Sequence, residues 1–373
     1  MSEQFLIPGG DYSALDSYLK ELDRHKILLV CGKHVSTLGI GAYFKDLPKR
    51  LPVQVVHFDG FSPNPKYEDI IKGVDLFRRE QCDMIAAVGG GSGMDVAKCI
   101  KLYSGMDPSR LYLEQEIIAN EIPFLAVPTT AGTGSEATRF AVIYYRGEKQ
   151  SVAHISCIPT AVFFDPQLLA TLPDYQKKST MLDTLCHAVE SFWSVNSTKE
   201  SKALGADAIR KVFAHADGVL KGEADDYSGM FLASNIAGKA INITQTTAGH
   251  AMCYKLTSLY GIAHGHAAAL CTRELFPHMI AHTADCIDPR GEEYLKETLA
   301  QLASAFSCQG PKEAAQKLDR FVTELGMEIP KPKEEDYAIL RSSVNPVRLK
   351  NHPVRLDEAR IDALYHKILS SSR

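Results

Sequence analysis

His250, Tyr254, Lys255, His264 and His266 stand within residues 249–270, a segment built mostly of small and apolar side chains. Imidazoles bind metal ions and carry protons near neutral pH. His250 and His264 are fourteen residues apart. On one unbroken helix they would point to similar faces but sit roughly 21 Å apart along the axis. Two ligands of one ion must lie within a few ångströms of each other. The segment is therefore either one helix with two unrelated histidines or two helices that turn near Gly261. His264 and His266 would point to nearly opposite sides of a helix, so at most one of them serves the same site. Upstream, Asp183 and His187 share a face at i and i+4 in MLDTLCHAVESF. That pair can chelate an ion or simply share a hydrogen bond.

Two kinds of element must position these groups. In the first half, short apolar runs at 26–32, 53–58, 84–88 and 124–127 read as buried strands, with helical spacing over 67–80. Strands that alternate with helices predict a parallel sheet covered by helices. Residues 142–145, 151–155 and 161–164 are expected to complete the sheet region, with Lys149 between two of them. Asp165-Pro166 then punctuates the chain, and from about Asp174 onward only helical periodicity remains. The expected division is an α/β domain over 1–173 and an all-helical domain over 174–373.

Two loops of the first half carry chemistry. Gly89-Gly90-Gly91-Ser92-Gly93 follows a strand and opens a helix, so backbone N–H groups and the helix dipole can meet an anion. It is neither a GxGxxG fingerprint nor a Walker loop. The second loop, Pro128 to Glu136 (PTTAGTGSE), is rich in hydroxyls and glycine and follows another strand. Ligands bind at the carboxyl ends of parallel strands, and a nucleotide is the expected ligand. Either loop could instead be a turn without a ligand.

Composition narrows the classes. A hydrophobic share of 45% and a charged share of 23% are those of an ordinary globular protein. A formal charge of −4 without a dense Lys/Arg run argues against nucleic acid as a partner. The nine cysteines are scattered, and none forms a C-x-x-C pair, so neither a disulfide framework nor a zinc-finger array is expected. No apolar run approaches the ~20 residues of a membrane span. The N-terminus lacks a basic region followed by an apolar core, so no signal peptide is expected. A cytoplasmic location is the resulting expectation.

GGGSGMDVAK, PTTAGTGSEAT, the D-x-x-x-H of 183–187 and the H-x13-H of 250–264, in this order, resemble the iron-containing (group III) alcohol dehydrogenases. The resemblance runs from about Lys26 to the end of the helical half. It implies a dinucleotide-binding α/β domain followed by an all-α metal-binding domain, the architecture also found in dehydroquinate synthase. It implies Asp183, His187, His250 and His264 as metal ligands, a set that suits Fe²⁺ and also Zn²⁺, Mn²⁺ or Co²⁺. It places cofactor phosphates at Gly90, Gly91 and Ser92 with Asp95 beside them, and Thr130, Thr133 and Ser135 at the ribose and nicotinamide end. Lys149 is taken with the cofactor set. The implied chemistry is hydride transfer between a nicotinamide and an aldehyde polarised by the metal.

Two departures from the family pattern bear on function. Many relatives carry a histidine four residues after the third ligand, assigned to proton relay; here Tyr254 stands there. NAD-selective members carry an aspartate after the first strand; here Gly32 occupies it, followed by Lys33, which suits NADPH over NADH. The run HAMCYKLTSLYGIAHGH resembles the phosphonoacetaldehyde reductase branch, whose product is 2-hydroxyethylphosphonate. In that reading Lys255 binds the phosphonate. Arg139 and Arg348 are weaker candidates, because sequence does not fix their distance from the metal. Alternatives are a short-chain primary alcohol dehydrogenase and a dehydroquinate synthase-like lyase. The expected partner is a small aldehyde or alcohol, and a homodimer is compatible with this reading.

Overall fold

In the computed structural model, which describes residues 4–370, the apolar runs of the first half become eight strands. They are β1 (Phe5–Ile7), β2 (Lys26–Cys31), β3 (Gln54–Phe58), β4 (Met84–Gly89), β5 (Phe124–Pro128), β6 (Phe140–Tyr145), β7 (Glu148–Ala153) and β8 (Ala161–Phe163). Six form one sheet in the order β1-β8-β5-β4-β2-β3, and every neighbouring pair in it is parallel. β2, β4 and β5 are buried almost throughout, as strands covered on both faces must be. The order reverses beside β2, so the loops leaving β2 and β4 open at a switch point, where such sheets bind ligands.

Residues 142–145 and 151–155 do not complete that sheet. β6 and β7 pair only with each other, antiparallel, from Phe140↔Ala153 to Tyr145↔Glu148. The cause is the turn between them. Arg146 and Gly147 both take positive φ (52° and 82°), the backbone of a two-residue hairpin turn, which joins antiparallel strands only. Ile155 lies beyond β7 in a short 3₁₀ turn, Ile155–Cys157. β1, conversely, is a strand of three residues, too short to stand out from its neighbours in sequence.

The second half is helical from Asp174 on, and among the described residues no strand follows β8. The helices that carry the histidines are Asp174–Trp193, Ala248–Tyr260 and His264–Ala281. The chain does turn at Gly261. Its φ of 68° caps the Ala248–Tyr260 helix, and its N–H donates to the Thr257 carbonyl at 3.0 Å. The restart is tied down by the Tyr175 hydroxyl, which accepts from the Ala263 N–H at 2.8 Å. Gly265 then lets the new helix press against the Asp174–Trp193 helix, since a Cβ there would strike the Ser179 carbonyl and the Asp183 side chain. No helix among the described residues is long and apolar enough to cross a membrane.

The chain divides into two compact units. One comprises Met1–Thr130 and Gly134–Thr171; the other comprises Ala131–Thr133 and Leu172–Arg373. Three residues of the hydroxyl-rich loop thus belong with the helical unit. There the Thr184 hydroxyl donates to the Ala131 carbonyl at 3.1 Å.

Candidate metal centre and cofactor loops

The Asp174–Trp193 helix presents Asp183, His187 and Glu190 on one face, and all three are buried. His250, also buried, enters from the Ala248–Tyr260 helix. Its Nε2 lies 3.3 Å from Asp183 Oδ1, and His187 Nε2 lies 3.9 Å from the same oxygen. The two imidazoles stack with centroids 4.4 Å apart. One ligand atom from each of Asp183, His187 and His250 lies within 4.8 Å of the others. His264 stands next to this group, its ring centroid 5.3 Å from that of His250, and its Nδ1 lies 3.6 Å from Cys253 Sγ.

Hydrogen bonds behind the rings decide which nitrogen is available. His187 Nδ1 faces the Gly132 carbonyl at 3.2 Å, and a carbonyl can only accept, so Nδ1 carries the proton. His250 Nδ1 faces Glu190 Oε1 at 2.7 Å and donates likewise. Both Nε2 atoms are therefore turned toward Asp183 as ligand atoms. Glu190 is held in turn by four donors. The N–H of His250 (3.1 Å) joins its Nδ1 on one oxygen, and the Thr247 N–H and hydroxyl (2.8 Å) occupy the other. Trp193 Nε1 donates to the Thr247 oxygen at 2.9 Å, which directs the hydroxyl proton at Glu190.

The electrostatics fit a cation. Burial pushes the Asp183 carboxyl up, but His187, His250 and His264 outweigh it and hold it well below the carboxylate range. Burial alone would lower His250; the Glu190 and Asp183 carboxylates overcome this and raise it to about 9. For His187 burial prevails over Asp183, and the ring titrates below its ordinary value. One buried carboxylate and two imidazoles, with His250 giving up its Nε2 proton to the ion and Glu190 held behind it, are a donor set for a divalent ion at metal–ligand distances of about 2.0–2.2 Å. Glu190 and Thr247 were not singled out from sequence. The available signal was a glutamate three residues after His187, on the face of the metal pair.

Farther along the Ala248–Tyr260 helix, the Tyr254 ring stacks on His264, with centroids 5.5 Å apart and planes at 21°. Burial pushes its phenol upward, so it keeps its proton at neutral pH. Lys255 is half-buried one position on and has no ion pair among the described residues. His266 turns elsewhere, with Nδ1 3.1 Å from the Tyr175 hydroxyl. Arg348 Cζ lies 5.4 Å from the Tyr254 ring, whereas Arg139 stacks over Phe140 in the other unit.

The cofactor loops leave neighbouring strands side by side, with Gly89 in register with Pro128 and Cys31 with Val88. Gly90 caps the Gly91–Ser104 helix, and Gly90, Gly91 and Ser92 are half-exposed at its N-terminus. A Cβ on Gly90 would come within 3.2 Å of Thr130 Oγ1. Asp95 and Ser135 are engaged with each other. The Ser135 hydroxyl donates to Asp95 at 3.0 Å, and the Val142 N–H donates to the other carboxylate oxygen at 3.0 Å. Lys98, fully buried, donates to Ser135 Oγ (2.9 Å), Thr138 Oγ1 (3.1 Å) and the Phe140 carbonyl (2.7 Å). Burial raises the Asp95 carboxyl, opposed by Lys98 and, more weakly, by Lys149, which is exposed on β7. Gly32 caps the Lys33–Thr37 turn at the end of β2, with Lys33 exposed. Thr133 lies in the loop segment that belongs with the helical unit.

Comparison with known proteins agrees with this picture. Residues 3–166 match the family model for iron-containing alcohol dehydrogenase, and residues 177–369 match the C-terminal model of the Fe-containing alcohol dehydrogenase family. The phosphonoacetaldehyde reductase of Streptomyces viridochromogenes is 32% identical over 328 residues, 84% of this chain and 82% of that protein. The 1,3-propanediol dehydrogenase of Klebsiella pneumoniae is 32% identical over 339 residues, 87% and 86% of the two chains. The crystal structure of sulfoacetaldehyde reductase from Bifidobacterium kashiwanohense in complex with NAD+ superposes with a TM-score of 0.87 at 25% identity, covering 99% of this chain and 98% of that one. With a parallel sheet in one unit, a buried Asp–His–His group in the other and both family models matched, the chain belongs to the iron-containing alcohol dehydrogenases.

Proposed function

We propose that this dehydrogenase reduces phosphonoacetaldehyde to 2-hydroxyethylphosphonate, with NADPH preferred over NADH and Fe²⁺ held by Asp183, His187, His250 and His264. The observation that carries the substrate is a cation, Lys255, placed directly after the tyrosine that stacks on His264 in an otherwise apolar stretch. A plain alcohol has no use for that charge, whereas a phosphonate does. Two of the similar proteins support this reading, since phosphonoacetaldehyde and sulfoacetaldehyde are both two-carbon aldehydes that end in a tetrahedral oxyanion.

When bound, the ion supplies Lewis acidity toward a carbonyl oxygen and the nicotinamide supplies hydride. The chain's own residues do the rest. Glu190 and the Gly132 carbonyl orient the two imidazoles. Tyr254, protonated at neutral pH, would give the reduced carbonyl oxygen its proton, directly or through a water, and regain one from solvent. The N–H groups of Gly90, Gly91 and Ser92 meet the cofactor phosphates, and Thr130 and Thr133 meet the ribose and nicotinamide portion. Asp95 and Ser135 hold that loop in shape. Lys33, beside Gly32, faces a 2′-phosphate, with Lys149 a second cation on the cofactor side.

A second reading, a short-chain diol or primary alcohol dehydrogenase, is favoured by the 1,3-propanediol dehydrogenase, whose identity to this chain is equal at 32%. An assay of NADPH and NADH oxidation by the Fe²⁺- and Zn²⁺-loaded protein decides between them. Phosphonoacetaldehyde, sulfoacetaldehyde, propanal and 3-hydroxypropanal are compared. The proposal expects the highest kcat/KM for phosphonoacetaldehyde with NADPH; a preference for 3-hydroxypropanal establishes the second reading.

A further inference from the structure

Four arginines of the helical unit are buried or half-buried, Arg273, Arg341, Arg348 and Arg360, and a fifth, Arg290, is exposed yet fully engaged. Four of the five meet carboxylates. Arg273 lies against Glu274 and Asp319, Arg290 against Asp288, Arg341 against Glu358 and Asp362, and Arg360 against Asp285. Arg348 meets none among the described residues. Its one hydrogen bond to a side chain is long, 3.4 Å from Nη1 to Thr246 Oγ1, although a guanidinium offers five N–H donors. The contrast with Arg290 is direct, since that guanidinium donates to the side chains of Asp288, Ser197 and Tyr294 and to the backbone carbonyls of Ser194, Val195 and Ser197.

Arg348 is nonetheless held in place. Asn345 caps its short helix, Pro346–Leu349, by accepting from the Val347 N–H at 2.8 Å. Asn351, just beyond, accepts from the Val195 N–H (3.0 Å) and donates to the Thr246 carbonyl (3.2 Å). Thr246 adjoins Thr247, the residue that fixes Glu190 and through it His250. The guanidinium and the imidazole are thus braced from one turn. The Tyr254 ring touches both Arg348 and a candidate ligand, with His264 stacked on it and Arg348 Cζ 5.4 Å from its centroid.

We infer that Arg348 is the anchor for a tetrahedral oxyanion on the aldehyde substrate, with the Tyr254 ring, which contacts both Arg348 and His264, tying the anchor to the His264 end. This rests on the reading of the substrate as an anionic two-carbon aldehyde. A planar guanidinium grips phosphonate or sulfonate oxygens with two parallel N–H bonds, which an ammonium cannot do. Lys255, one residue past Tyr254 and so turned about 100° from it on the helix, adds positive potential without that grip.

The test compares wild type with Arg348→Ala, Arg348→Lys and Lys255→Ala, all metal-loaded, on phosphonoacetaldehyde, sulfoacetaldehyde and propanal. Arg348→Ala should lower kcat/KM for the preferred anionic aldehyde about 10- to 100-fold more than for propanal, chiefly through KM. Arg348→Lys should recover only part of that ratio, and Lys255→Ala should change it less. Which of the two anionic aldehydes loses more tells phosphonate from sulfonate. Independently of turnover, calorimetry should show methylphosphonate binding to wild type and at least tenfold weaker binding to Arg348→Ala. If wild type prefers neither anionic aldehyde over propanal, the substrate reading fails and the anchor with it. If that preference holds but survives Arg348→Ala and Arg348→Lys, or is removed by Lys255→Ala alone, the anchor is wrong and the substrate reading stands.

Discussion

The two units each hold a carboxylate near a basic group, half-buried Asp95 in one and buried Asp183 in the other, and they do opposite things with it. In the sheet unit, Asp95 and Lys98 close on themselves. Both Asp95 oxygens accept, and Lys98 Nζ donates to three oxygens around the same loop. In the helical unit, Asp183 faces two imidazole nitrogens whose far sides are already fixed by the Gly132 carbonyl and Glu190. The first cluster is a completed network that shapes the hydroxyl-rich loop. The second converges three ligand atoms on one point, the form of a metal site. Burial and charge alone do not separate the two; the direction of the lone pairs does.

The largest effect expected of this contrast is at Asp183. Asp183→Ala removes the one carboxylate among the three converging ligand atoms and should lower metal affinity by more than about 100-fold, with little bound metal after equilibrium dialysis. Full metal content in this variant would mean that the cluster is not the site. Glu190→Gln should come next, at about 10- to 100-fold, read by competition with a chelator. Four donors converge on Glu190, so an amide must point its own N–H groups at either the Thr247 pair or the His250 pair. If it points at His250 Nδ1, the ring proton moves to Nε2 and the ligand atom is lost.

The completed network should answer differently. Lys98→Met removes the three hydrogen bonds that Lys98 donates to Ser135, Thr138 and Phe140 and strips Asp95 of its nearby cation. The expected cost is about 3 kcal/mol of stability in urea unfolding, with metal affinity of the folded protein unaltered. A loss of metal affinity equal to that of Glu190→Gln would erase the distinction between the two clusters.

Much of this was legible in the chain because it is local. Asp183 and His187 lie one turn apart on a long helix, and Gly261 is a C-cap glycine, so both stand out as local features, although spacing alone leaves one helix or two open at Gly261 and the family motifs choose two. The family motifs likewise predicted a parallel sheet followed by helices. What was not legible depends on partners far away. Glu190 acquires its role only when Thr247 and His250, some sixty residues on, fold over it. Arg348 was a weak candidate because only Asn351, binding Val195 and Thr246, brings its turn to Tyr254. The β6–β7 hairpin was misassigned to the main sheet because apolar alternation reports burial of one face and not which strand pairs with which.

The smallest predicted effect concerns histidines that no metal explains. In the sheet unit His25, His34 and His57 are exposed and His154 half-buried, whereas the helical unit buries His266 and His352 and half-buries His278. Burial lowers His266 and His278 to about 4 and His352 to about 3, from an ordinary value of 6.5. These folded-state values lie below the unfolded one. Their contribution is therefore complete above about pH 6.5. Below that, the unfolded chain takes up protons that the folded chain refuses, and stability falls by about 1 kcal/mol per histidine for each pH unit until the folded-state values are reached. The helical unit should accordingly be the acid-sensitive one. His352 isolates one share of the effect, since neither ring nitrogen has a hydrogen-bond partner and the ring stands edge-on to Trp193 with centroids 6.3 Å apart. His352→Leu keeps the apolar packing and leaves nothing to protonate. Urea unfolding at pH 7.5 and pH 5.5 should show a drop smaller by about 1 kcal/mol in His352→Leu than in wild type. An equal drop in the two proteins would mean that His352 takes up its proton without opening the fold.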